Sequence, residues 1–356
     1  MQTPSLLFAR SIFNDEPRDL RRKISALYIF LVLANVVVWI WAIVAFHDQQ
    51  ALLASAVLAY TLGLRHAVDA DHIAAIDNVT RKLMQDGKRP ISVGFFFSLG
   101  HSAMVALMSF GICIAATLLQ THFAEMKSVG GVISTSVSAL YLFVLAFFNL
   151  LILKSVWKAF KAVKRGEALR EYDLDLLLSN RGMLARLFRP LFRMASRSWH
   201  MFPMGFLFGL GFDTASEVAL FGISAAEAAK GVSFWSIMVF PAMFTAGMSL
   251  IDTTDGALMI GAYGWAYTKP IRKLFYNLTI TLVSVVVAVG IAGVESLGLL
   301  RERLGLEGRF WDGVGEVNQH FGMLGYGIIA LFIVSWCLSV AVYKFRRYDD
   351  IVVVLA

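Results

Sequence analysis

Apolar residues fall in eight long runs separated by short polar stretches: roughly 24–46, 51–79, 91–119, 129–153, 203–228, 234–265, 271–295 and 321–343. A helix needs about 20 apolar residues to cross a bilayer core of about 30 Å, and each run is long enough. The expected fold is all-α, a polytopic membrane protein with eight transmembrane helices. Four runs, 24–46, 129–153, 271–295 and 321–343, carry almost no charge. The other four are interrupted by ionisable residues, most densely in "RHAVDADHIAAID", Arg65 to Asp77.

Composition agrees: 58% of the 356 residues are hydrophobic and only 16% charged, against roughly 25% in soluble domains. The polar first 23 residues lack the apolar core of a signal peptide. Cys113 and Cys337 both lie in apolar runs and imply neither a disulfide framework nor a zinc spacing. The net charge of +7 is explained by where it sits. If both termini face the cytoplasm, the inside segments hold 26 Lys and Arg, the outside loops 5, and Arg65 lies within a run. That asymmetry follows the positive-inside rule, so nucleic acid is not needed to account for the charge. The expected organisation is a cytoplasmic arm (1–23), transmembrane helices one to four (24–153), a basic cytoplasmic loop (154–202), helices five to eight (203–343) and a cytoplasmic tail (344–356). Within the loop, "MLARLFRPLFRMASRSW" suits either a helix lying on anionic lipid or a plain basic connector.

Ionisable residues inside a span cost several kcal/mol and point to function. The second run holds Arg65, His66, Asp69, Asp71, His72 and Asp77; the third, His101; the fifth, Asp213 and Glu217; the sixth, Asp252 and Asp255, with Met248 nearby. On a straight helix at about 100° per residue, Asp69 and His72 share the face of His66, with Asp77 near it and Asp71 pointing elsewhere. Either Asp71 plays a supporting role, or the helix is distorted near Gly63. Imidazole with carboxylate suits a late first-row divalent metal better than magnesium, which prefers oxygen. A lone buried histidine usually packs between helices with one hydrogen bond, but that account would need repeating for each costly residue of the second run. His47, His122, His200 and His320 fall near span ends and read as solvated. Arg65 cannot ligate a metal and reads as the partner of a neighbouring aspartate. Met248 is either core packing or a thioether ligand.

Two motif pairs recur. "LGLRHAVD" (62–69) parallels "LGFDTASE" (210–217), and "FSLGHS" (97–102) parallels "FTAGMS" (244–249). Gly63 and Gly100 are 37 residues apart, Gly211 and Gly247 36. An offset of three spans inserts the two units from opposite sides, the arrangement of an inverted repeat, spans 2–4 and 5–7.

These motifs resemble the nickel/cobalt transporter family of bacterial inner membranes. His66, Asp71 and His72 match that family's second-span signature of His, four residues, Asp, His. "FSLGHS" resembles the third-span motif, although "AMV" follows where valines are usual. "LGFDTASE" is similar to the fifth-span motif, with Ser216 where Thr is usual, and "GMSLIDTTD" looks like the sixth. The resemblance implies uptake of nickel or cobalt by a permease, supplying metalloenzymes, and essential histidines and aspartates in the second span. Relatives that export metal often carry a histidine-rich loop; here that loop holds only His200.

The expected metal residues are His66, Asp69, Asp71, His72 and His101. Arg65, Asp77, Asp213, Glu217, Met248, Asp252 and Asp255 are expected to line the path or support the ligands. The ion is cargo; no resident cofactor is expected, and the expected partners are the ion and membrane lipid. No glycine-rich loop ending in Lys and Ser or Thr is present, so direct ATP coupling would need another chain. Three readings compete with transport: an acyltransferase that uses the His–Asp pair, a membrane metallo-hydrolase, and a sensor that binds metal without moving it.

Overall fold

The computed structural model describes residues 15–16, 19–114, 116–165, 196–210, 215–266 and 270–348. Asp213, most of the basic loop with its amphipathic stretch, and the end of the C-terminal tail lie outside the described residues. The described residues are helical, without strands: α1 Leu20–Phe46, α2 Gln50–His66, α3 Ala70–Gln85, α4 Val93–Ile114, α5 Ala116–Lys164, α6 Met201–Phe208, α7 Ala215–Ala229, α8 Phe234–Ile237, α9 Val239–Ala266, α10 Pro270–Leu304, α11 Arg309–Gln319 and α12 Phe321–Phe345. Six are long and apolar enough to cross a membrane, and the bent pair α2–α3 would make seven. The remaining expected crossing, 203–228, is divided between α6 and α7, with 211–214 outside the described residues.

Burial separates the helices. In the most apolar window of α1 and of α12, 17% and 11% of residues are buried, against 56% in α4 and in α8–α9. α1 therefore turns Phe30, Val37 and Val44 outward, an apolar face suited to lipid, while α4 and α9 form the centre. The centre is tight because glycines let backbones touch. A Cβ on Gly63 of α2 would strike the Phe244 carbonyl of α9, and one on Gly247 would strike Tyr60. The α4–α6 crossing is built the same way, Gly100 against Phe202 and Gly205 against Phe97.

Three expectations change. The second run does not end at residue 79 but bends by 52° and continues to Gln85. The polar stretch near 120–128, expected as an outer loop, lies within the single helix Ala116–Lys164, a segment with no proline to end it. The seventh run is less bare than its composition suggests: Glu295 at its edge is buried and accepts hydrogen bonds from the Ser138 hydroxyl of α5, at 2.9 and 3.0 Å to its two oxygens.

Candidate metal centre

The centre forms where α2 breaks into α3. After Gly63 the backbone tightens: the Val68 N–H donates to Arg65 O and the Asp69 N–H to His66 O. Asp69 then turns extended (φ −65°, ψ 148°) and opens α3. Aspartate at such a position usually caps the new helix with its carboxylate. Here it does not: Asp69 Oδ2 lies 3.0 Å from His66 Nδ1, and Oδ1 lies 3.5 Å from Arg65. In the first turn of α3, Asp71 Oδ1 instead accepts the His72 N–H at 3.0 Å.

The bend sends His66 from the end of α2 and His72 from the start of α3 to one place, where His101 of α4 meets them. Ring centroids lie 4.7 Å apart for His66–His72, 4.8 Å for His66–His101 and 5.0 Å for His72–His101. One nitrogen from each falls within 4.8 Å of the others, and all three residues are buried. Phe97 packs against His72 and Phe244 against His66, forming an apolar wall.

Carboxylates reach this trio from both parts of the chain. Asp69 holds His66. Asp252 of α9 places both oxygens 3.3 Å from His72 Nδ1. Glu217, in the first turn of α7, lies 2.9 Å from His101 Nε2, which is itself 3.0 Å from His66 Nε2. Neighbouring ligands around a metal with bonds of about 2.0–2.1 Å stand about 3 Å apart, so the His101–Glu217 and His101–His66 separations are each those of adjacent ligands. Among the described residues, His72 Nε2 and His101 Nδ1 have no hydrogen-bond partner although both are shut off from solvent. A ring nitrogen shut off from solvent without a partner is costly.

The other expected residues separate by position. Arg65, half exposed, donates to Ser216 Oγ at 3.0 Å as well as facing Asp69, linking the break after α2 to the start of α7. Met248 is fully buried in the apolar cluster with Phe240 and Phe244. Asp77 sits away from the histidines, fully buried, accepting from the Tyr263 hydroxyl and, at 2.7 Å, from Ser284. Asp255, one turn beyond Asp252, has an Oδ2 without a hydrogen-bond partner among the described residues. Sequence reasoning missed Arg81. Counted among inside-loop charges, it is fully buried in α3, its Nε 3.9 Å from Asp77 and its other nitrogens bonded to Thr281 and Asn78. The signal was available: Arg81 stands four residues after Asp77, a pairing distance on a helix. It also missed the Ser98–Ser249 hydrogen bond (3.1 Å) that ties α4 to α9.

Comparison with known proteins gives the family. Residues 52–342 match the family model of the high-affinity nickel-transport protein, NicO. The chain is 58% identical over 330 residues to the high-affinity nickel transport protein of Cupriavidus necator, covering 93% of this chain and 94% of that one. It is 49% identical to the hydrogenase nickel incorporation protein HupN of Bradyrhizobium diazoefficiens (88% and 82% covered). It is 39% identical to the cobalt transport protein NhlF of Rhodococcus rhodochrous (80% and 81% covered). No solved structure matches. With a family model spanning most of its length and relatives this similar along nearly all of theirs, the chain belongs to the high-affinity nickel-transport protein family.

Proposed function

We propose that the protein is a secondary permease that takes up nickel or cobalt dications across the bacterial inner membrane. The observation that carries this reading is the buried trio of His66, His72 and His101, from three helices, at a break in a membrane-embedded segment. His66 and His72 ligate through Nε2, and His101 completes the set with Glu217 beside it. Asp69 orients His66, and Asp71 fixes the first turn of α3. A carboxylate that holds a ligating histidine raises its basicity and sets its orientation.

Imidazole donors favour nickel, cobalt and zinc over magnesium and calcium. Nickel and cobalt take the same donors, so this site serves both. A membrane potential of 100 mV contributes about 2.3 kcal/mol per charge, hence about 4.6 kcal/mol for a dication drawn inward. Eight crossings with both termini inside, and an inverted repeat, complete the reading. Supporting the repeat are the reciprocal glycine contacts of α2–α9 and of α4–α6, two equivalent crossings that each set the first span of one unit against the second span of the other.

Uptake of radiolabelled nickel and cobalt into vesicles containing purified protein tests this. Wild type accumulates metal; His66→Ala and His72→Ala reach the membrane but lose accumulation. Normal accumulation by either variant overturns the ligand assignment. Saturable binding without flux would indicate a sensor, and turnover of lipid or peptide without flux an enzyme.

A further inference from the structure

We infer that Asp252 is a positioning residue that makes His72 a metal ligand only while the two halves of the protein are packed together. The inference rests on the reading of His72 as a ligand.

His72 is fully buried, and its ring has little freedom. His66, His101 and Phe97 crowd it, with centroids 4.7, 5.0 and 4.8 Å away. Its Nδ1 faces both oxygens of Asp252, 3.3 Å from each, and Asp252 is also fully buried. A neutral imidazole carries one N–H and one lone pair, and an ionised carboxylate only accepts. Where Asp252 is ionised, as the approach of a dication favours, the proton stands on Nδ1 and the lone pair falls to Nε2. That is the nitrogen without a hydrogen-bond partner among the described residues, and His72 is one of the three histidines whose nitrogens gather within 4.8 Å. Asp252 thus selects the tautomer that can bind a metal.

The pairing differs from that of His66. Asp69 and His66 are three residues apart on one segment, so their contact does not depend on how the two halves of the chain pack together. His72 and Asp252 are 180 residues apart, on α3 and α9, in different halves of the chain. The carboxylate is held in place by backbone packing: a Cβ on Gly94 of α4 would strike the Asp252 carbonyl. When α9 stays seated against α4, Asp252 meets His72. When α9 moves away, the Nδ1 proton loses its acceptor, the ring is free to exchange tautomers, and one lone pair leaves the site. Carriers must bind tightly enough to select and loosely enough to release, and here the change in affinity follows from a single hydrogen bond across the halves.

Asp252→Asn tests this because it preserves shape while offering an N–H₂ that can turn the His72 proton toward Nε2. We expect nickel affinity of the purified protein to fall 10- to 100-fold, the usual cost of losing such a partner. Asp252→Glu is expected to recover part of the loss. The absorption spectrum of bound cobalt is expected to shift in Asp252→Asn as one nitrogen donor is lost. Nitrogen-15 NMR of the imidazoles is expected to show His72 protonated at Nδ1 in wild type and at Nε2 in Asp252→Asn. A purely structural role would lower thermal stability of the metal-free protein and leave the His72 tautomer alone. Wild-type affinity in Asp252→Asn, or an unchanged tautomer, overturns the inference. His72→Ala in the same assay separates the two levels. If it binds nickel normally, the ligand reading itself falls; if it is weakened while Asp252→Asn is normal, only the present inference falls.

Discussion

At the residue scale, two aspartates two positions apart in the second run have different work. Asp69 is buried and spends its carboxylate on His66 and Arg65, whereas Asp71 is partly buried and accepts a backbone N–H. A straight-helix projection set Asp69 beside the histidines, while the family signature pointed to Asp71. Removing the charge at Asp69 leaves the half-exposed Arg65 guanidinium unbalanced next to the metal site and weakens the hold on His66. Asp69→Asn is therefore expected to reduce nickel affinity by 10-fold or more. Asp71→Asn still offers an oxygen to the His72 N–H, and its cost is expected to be a few-fold. Isothermal titration of the two variants with nickel, side by side, checks the order; a larger loss for Asp71→Asn would place that carboxylate on the ion. The histidine trio was legible because His66, His72 and His101 stand in apolar runs where each is expensive. The partner of His72 was not legible. Asp252 is 180 residues away, and no local period connects the two.

At the element scale, the second run read as one helix and is two. Gly63 marked the region of distortion, but the break falls at 67–69, where Asp69 turns extended and gives its side chain to His66 rather than to the helix N-terminus. Helical periodicity assumes a straight axis, so it placed the right residues and mis-stated their directions. The single helix from 116 to 164 was missed for the opposite reason. The polar residues near 120–128 read as a connection, yet nothing there forbids helical dihedrals. What Gly63 does do is let α2 approach α9. Gly63→Val would drive a branched side chain into the Phe244 carbonyl, which as backbone cannot swing aside. Overpacking of this kind costs about 1–3 kcal/mol or more. A lower melting temperature in detergent is expected, with loss of uptake, since Phe244 and His66 are in contact. Gly290→Ala on α10 is the control: its Cβ enters open space, and alanine favours a helix interior over glycine by up to about 1 kcal/mol. A tolerant Gly63→Val would mean that α2 and α9 are not held this closely.

At the scale of the whole molecule, orientation and the depth of the site are linked. If α2 enters the membrane from outside and α3 leaves it toward the cytoplasm, the break at 67–69 lies about 25 Å along the helix from the start of α2 and about 24 Å from the end of α3, at 1.5 Å per residue. The histidines then sit near mid-depth, reachable from either face once a path opens. If the second unit is inverted, α6 lies toward the cytoplasm and α7 toward the outside, and Glu217, 2.9 Å from His101, reaches the site from that unit. The basic residues agree: the last turn of α3 and the stretch after it carry Lys82, Lys88 and Arg89, while the loop after α1 carries no Lys or Arg. Single cysteines at exposed Asp48, Asp86 and Glu307, in protein freed of Cys113 and Cys337, read this directly. In intact cells, a membrane-impermeant maleimide is expected to label Asp48→Cys and Glu307→Cys but not Asp86→Cys. After permeabilisation all three should react. Labelling of Asp86→Cys from outside would reverse α2–α3, move the positive charge to the wrong side of the membrane, and require the ion to enter by what is here its exit.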